Sequence, residues 1–207
     1  MAEPVRTVAG PGEARFEVNG STFVGLAGAA RTVAEAEAFV EEVNAEYPDA
    51  RHVVPAYRVP ADEGRSGADE AMLREWCSDD GEPSGSSGKP ALNVLVQQEI
   101  RNVVVAVVRY KSGPNLGVGG LARAYSRAVK EAVEDAGVVE KLPRERFAAA
   151  VEYGDSGTVR AVLESEDVEF DADYAEDVRF EIRVPVDEAS ALRDRLQSAT
   201  SGRVDLS

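Results

Sequence analysis

The stretch DDGEPSGSSGKPALNVLVQQEIRNVVVAVVRYKSGPNLGVGGLARAY, Asp79–Tyr125, decides how this chain folds. Two glycine-rich turns, Gly81–Gly88 and Gly113–Gly120, each run into a helical pattern. Between them an unbroken apolar run, Val103–Val108, ends in Arg109-Tyr110. Lys89-Pro90 opens the first helix, where proline suits a first turn whose N–H has no intrahelical partner. The second, Gly119–Ala136, repeats apolar residues at i, i+3 and i+4 from Leu121 to Val133 and stops at Gly137. The valine run predicts a strand over Ile100–Tyr110 that is buried on both faces, as strands of parallel sheets are. Helix starts that follow glycine turns carry unpaired N–H groups, so two anion-friendly seats are expected beside one buried strand.

Charge sharpens this reading. Between Ser84 and Lys130 stand seven bases and one acid, a local +6 inside a chain whose net charge is −15. Such a segment marks a phosphate, nucleic-acid or acidic-partner site. Lys89, Arg109 and Arg123 are expected to point into one groove. Arg109, Arg123 and Tyr125 are of a type found at exposed sites, with ordinary surface charge and a core tyrosine on the inner stripe of the second helix as the alternative. Ser84, Ser86 and Ser87 are expected to cap the first helix and face the ligand. Asp80, Glu82, Tyr110, Gly119 and Gly120 complete the candidate set.

Upstream, Val5–Ala9, Ala14–Val18 and Ser21–Leu26 read as short strands. Thr32-Val33-Ala34-Glu35 is a capping box, and its helix runs to Tyr47-Pro48. Arg51–Val59 reads as a strand, and Pro60–Arg74 as a loop with a helical turn at Glu70–Glu75. Downstream, Val138–Arg144 reads as a linker, which sets domain boundaries at 1–142 and 143–207. Beyond it, strands at Phe147–Tyr153, Val168–Tyr174, Val178–Val184 and Arg203–Leu206 alternate with helices at Ser156–Glu164 and Asp187–Ser198. That βαββαβ order is ferredoxin-like.

Composition bounds the rest. With 43% apolar and 29% charged residues the chain reads as folded rather than disordered. Thirty-eight acids against 23 bases, few of them lysine, point to a high-salt cytoplasm. The N-terminus lacks a signal-peptide core and no run is long enough to span a bilayer, so a cytoplasmic protein without a membrane partner is expected. One cysteine, Cys77, allows no internal disulfide, and one histidine, His52, gives no zinc set. Gly85–Pro90 is no P-loop, because prolines stand at the first glycine position and at the metal-binding hydroxyl. Leu116–Gly120 lacks dinucleotide spacing. No cofactor is expected. Asp79, Asp80 and Glu82 read as a solvated acidic turn before a cation site.

Taken together these residues resemble the IMPACT family, or YigZ-like proteins, of the two-domain prokaryotic type. The resemblance is carried by Asp79-Asp80-Gly81-Glu82-Pro83-Ser84-Gly85-Ser86-Ser87-Gly88-Lys89-Pro90, by Val107-Val108-Arg109-Tyr110, and by Leu116-Gly117-Val118-Gly119-Gly120-Leu121-Ala122-Arg123-Ala124-Tyr125. Asp49-Ala50-Arg51-His52 is similar to a further family segment. One departure is that Lys111-Ser112-Gly113-Pro114-Asn115 stands where the family carries an aromatic and a glycine pair. The resemblance implies an α+β or α/β two-domain protein. Its first domain would be like domain 2 of ribosomal protein S5, and its second ferredoxin-like. It also implies translational control, which eukaryotic members exercise by binding the activator of an initiation-factor kinase.

The leading functional expectation is a non-enzymatic binding protein for RNA, the ribosome or a translation-associated protein. A second is an enzyme on a small phosphorylated or peptide-like substrate, with Asp80 or Glu82 as base and Lys89, Arg109 and Arg123 as anion clamps. A third is a purely protein-binding regulator that uses the same groove.

Overall fold

A computed structural model describes residues 4–61, 72–175 and 177–207. The chain is a two-domain α+β protein, dividing into one unit of residues 5–61 with 72–141 and a second of Leu142–Ser207. The first unit contains β1 (Val5–Val8), β2 (Gly12–Val18), β3 (Ser21–Ala29), α1 (Val33–Glu46), β4 (His52–Pro60) and β5 (Leu73–Cys77). It continues with α2 (Gly88–Gln97), β6 (Val103–Tyr110), α3 (Gly117–Ala136) and β7 (Val138–Lys141).

Five strands form one sheet in the order β2-β3-β6-β4-β5, every neighbouring pair antiparallel. The valine run is thus buried on both faces for a reason other than parallel pairing. Val103, Val105 and Val107 join Leu95 of α2 and Val129 of α3 in one core. Val104, Ala106 and Val108 face the opposite way, where Ala36 and Val43 of α1 cover them. Helices on both sides leave no polar face, and each fully buried valine stabilises the fold by about 1.5–3 kcal/mol.

Helix α1 begins at the capping box, where Glu35 N–H donates to Thr32 Oγ1 at 3.1 Å and the Glu35 carboxylate accepts from Arg31 N–H at 2.7 Å. Helix α3 lies hard against the hairpin of β2 and β3. A Cβ on Gly12 or Gly25 would overlap the carbonyls of Ala132 and Ala128, so glycine on the strands and alanine on the helix set the distance together.

Two expectations change here. Of the helical turn expected at Glu70–Glu75, residues 70 and 71 lie outside the described residues. Leu73–Glu75 belong instead to strand β5, where Trp76 pairs with and stacks on Tyr57 at 5.2 Å. Val138–Lys141 is no linker either, since it pairs antiparallel with Val5–Val8. The β-branched Val138-Val139 face Val8 and Thr7 there, a pairing favoured by side chains that fit a pleated surface.

The second unit runs β8 (Arg144–Glu152), α4 (Tyr153–Ser165), β9 (Glu169–Tyr174), β10 (Asp177–Pro185), α5 (Val186–Ala199) and β11 (Asp205–Leu206). Its sheet order, β11-β8-β10-β9, is antiparallel throughout and is the ferredoxin-like arrangement. Phe147, Phe180, Ile182, Leu163 and Leu196 form its core.

Candidate functional site

Three strands meet in one row at the end of β6. Arg109 lies opposite Phe23 of β3 on one side and His52 of β4 on the other. Onto this row the Asp79–Gly88 loop descends from the β5–α2 connection, and Tyr125 reaches in from α3.

Each carboxylate of the loop is committed inside the protein. Asp79 accepts the N–H groups of Gly85 at 2.7 Å, Ser87 at 3.1 Å and Gly88 at 2.8 Å, and the Ser87 hydroxyl at 2.7 Å. Burial pushes its carboxyl pKa up. The Gly85, Ser87 and Gly88 hydrogen bonds outweigh that and hold it below the usual range. Asp80 sits in the left-handed region at φ 44°, its carboxylate accepting Val53 N–H at 2.6 Å. Its carbonyl lies 2.6 Å from His52 Nδ1. A carbonyl only accepts, so Nδ1 carries the hydrogen and Nε2 faces Glu82 at 3.8 Å.

Glu82 is the centre of the cluster. Its Oε1 receives Arg109 Nη1 and the Tyr125 hydroxyl, the latter at 2.9 Å. Arg109 Nη2 adds Ser21 Oγ at 3.4 Å, and its guanidinium lies 5.5 Å from the Phe23 ring. Burial first, then the Glu82 charge and hydrogen bond, push the Tyr125 hydroxyl far above its ordinary pKa. Two fully buried polar atoms here have no protein partner, Ser86 Oγ and Arg109 Nε.

These placements correct the sequence expectation at several positions. Arg109, expected in an open groove, is 2% exposed, while Tyr125 is 0% exposed and takes the core alternative that its place on the inner stripe of α3 offered. The three cations do not share a groove, because Arg109 is an internal ion pair while Lys89 and Arg123 are exposed. Tyr110, one residue on, turns to the opposite sheet face and packs in the α1-side cluster, as strand alternation dictates. Asp79 already fills the anion seat at the start of α2. Of the three serines, Ser84 is exposed, Ser86 and Ser87 are buried, and Ser87 serves Asp79 rather than a ligand. The capping role of Asp79 and the part of Ser21 were missed. The D-x-x-x-x-x-G-x-S-G spacing around Asp79 was the available signal for the first.

The start of α3 is different. Gly119 is exposed and Gly120 half-buried, no side chain caps the helix, and its first turn holds no acid. Arg123 follows one turn later, its guanidinium 3.5 Å from where a Gly119 Cβ would lie. The unusual loop before it is tied down by Ser112, whose hydroxyl donates to the Gly20 carbonyl at 2.6 Å and whose carbonyl accepts from Ser21 at 3.2 Å. Cys77 pairs with Ala56, four residues along β4 from His52, so about 13 Å of strand lies between the two backbone positions. Burial and Asp79 raise the thiol pKa. Among the described residues no group of three His, Cys, Asp or Glu is placed to hold a metal ion, and no helix is long and apolar enough to cross a membrane.

Residues 19–133 match the Impact N-terminal domain, and residues 150–203 match a domain of unknown function, DUF1949. The chain is 30% identical to the IMPACT family member YvyE of Bacillus subtilis, over 97% of this chain and 88% of that one. It is 31% identical to YigZ of Escherichia coli, over 92% and 90%. A crystal structure described only as a hypothetical protein superposes with a TM-score of 0.73 at 31% identity, covering 100% and 97%. The acidic loop, the buried Arg109 and both helix starts fall inside the first matched span, and the chain belongs to the IMPACT family.

Proposed function

We propose that this protein acts in translational regulation as a non-catalytic binding protein, contacting RNA, the ribosome or a translation-associated protein. The observation that carries the reading is the uncapped, acid-free start of α3 with exposed Arg123, on a chain of net charge −15. A cation and free N–H groups at one helix start favour an anionic or acidic contact. Family membership supports the link to translation through the control that eukaryotic members exercise. Binding is favoured over catalysis because Asp80 and Glu82, the bases an enzyme would need, already accept fixed internal donors.

The test is capture of the tagged full-length protein at the ionic strength of its source cell. Ribosomal or translation-factor components are expected to be enriched and to be lost from a Lys89→Glu/Arg123→Glu variant. Arg160→Glu, on α4 of the second unit, should retain them. A captured set no different from a tag-only control, or unchanged in the double variant, overturns the proposal.

A further inference from the structure

We infer that two copies of this chain pair edge to edge through β5, joining their five-stranded sheets across a twofold axis with the two α2 helices side by side. The two edges of the sheet differ. On β2, Glu13 N–H donates to the Asp135 carboxylate at 2.9 Å, so Glu13, Arg15 and Glu17 hold the outward backbone groups. One of these is thereby capped and all three side chains are charged, which guards an edge that stays unpaired.

On β5 the guard is missing. Ser78 N–H donates to the Pro55 carbonyl and the Met72 carbonyl accepts Ala61 N–H, so the even-numbered residues face β4. Leu73, Glu75 and Cys77 therefore turn their N–H and C=O groups outward, and among the described residues nothing bonds them. Between the last two, Trp76 is 40% exposed and stacks on Tyr57.

Charge selects the register. Of those that a twofold normal to the sheet allows, the ones that overlap at least three residues of β5 centre on Arg74, Glu75 or Trp76. The first two set like charges face to face, which destabilises a sheet. The third sets Trp76 against Trp76 of the second copy, in the closely spaced kind of pair where side chains lie nearest. An aromatic row then runs from Tyr57 of one copy through both tryptophans to Tyr57 of the other. Glu75 of each copy bonds Cys77 of the other through the backbone.

Helix α2 carries a matching flank. Asn93, Val94 and Gln97 line its α3 side, so Leu92 and Val96 lie on the flank towards the open edge, and Val96 is 36% exposed. Strands β5 and β6 run the same way and α2 runs against both. Gly88 packs on the Ser78 backbone. Val94, six residues on and about 9 Å down the helix, is therefore level with Glu75 and Trp76. A twofold at Trp76 thus sets the two helices antiparallel about their middles, with Leu92 of each beside Val96 of the other. It also brings Lys89, at the start of one helix, to Glu99, just past the end of the other. Neither makes an ion pair among the described residues of its own chain. Each copy carries −15, so the pair forms where salt screens it, over a Debye length of about 3 Å at 1 M.

The experiment is sedimentation equilibrium of the full-length protein in molar potassium chloride. Twice the monomer mass is expected at the upper concentrations, and the emission of Trp76, the chain's one tryptophan, should move to the blue as copies associate. Val96→Glu should weaken association about tenfold or more. Tyr153→Glu, the same added charge on the second unit, should leave it unchanged, and both variants should keep the parent's melting temperature. Oxidation tests the register on a Cys77→Ser background. Trp76→Cys should link two chains, because its Cα atoms stand about 4.5 Å apart across the axis. Arg74→Cys should not, because it faces Ser78 of the second copy, four residues from its own counterpart. A single monomer mass at every concentration, association untouched by Val96→Glu, or Arg74→Cys linking no less than Trp76→Cys would overturn the inference.

Discussion

Glu82 neutralises Arg109 inside the first unit, and removing its charge leaves a guanidinium buried without a counterion. Glu82→Gln should cost about 3–5 kcal/mol in urea unfolding. Arg109→Met added to it should recover most of that loss, because the pair's worth lies in each ion satisfying the other. A single-variant loss below about 0.5 kcal/mol would contradict the ion-pair account. Asp79 makes a separate, pH-dependent contribution. Its folded pKa is depressed, so its stabilisation is present above the unfolded value and lost as pH falls through the folded one. Asp79→Ala should cost about 1–2 kcal/mol near neutrality. The gap between variant and parent should close below about pH 4, as the parent's carboxyl protonates. A gap that stays constant to pH 2 would show that the carboxylate is not the cap. The sequence revealed which residues gather here but not which would cancel. Counting Arg109 among free cations failed because Glu82 lies 27 positions away and meets it only through the Phe23–Arg109–His52 row.

Elements were legible where the signal is local. The Thr32–Glu35 box, the glycine after α3 and the stripes of α2 and α3 each lie within a few residues of what they determine. β5 and β7 were not, because their partners are remote. Leu73–Cys77 becomes a strand by lying on β4, and Val138–Lys141 by pairing with a segment at least 130 residues earlier. The same non-local fit governs α3. Gly25→Ala drives a methyl into the Ala128 carbonyl and should cost about 1–3 kcal/mol. Chemical denaturation reads this directly, and an unchanged midpoint would mean that α3 can slide outward freely.

At the scale of the whole molecule, net charge dominates. At −15 the chain repels itself when counterions are scarce, so its melting temperature should climb steeply between dilute buffer and molar salt. A midpoint independent of salt would refute that. With Val138–Lys141 committed to β1, only Leu142-Pro143 separates the last strand of one unit from β8 of the other. Limited proteolysis is expected to cut first around Leu142, which is 57% exposed. First cuts inside β6 or β8 would place the boundary elsewhere.

The pairing of β1 with β7 also sets how the first unit answers a pull. Val5 stands opposite Lys141 and Val8 opposite Val138, so the chain enters and leaves the ribbon at the same end. Tension between Val5 and Lys141 therefore opens the ribbon as a zipper, one pair of backbone hydrogen bonds at a time, instead of loading all of them together in shear. Under an optical trap the ribbon should part at low force, in a small early extension, while the five-stranded sheet still holds. An unfolding motor that grips the chain at either side of this ribbon meets its hydrogen bonds one pair at a time, until it reaches Val8, which is buried in the core.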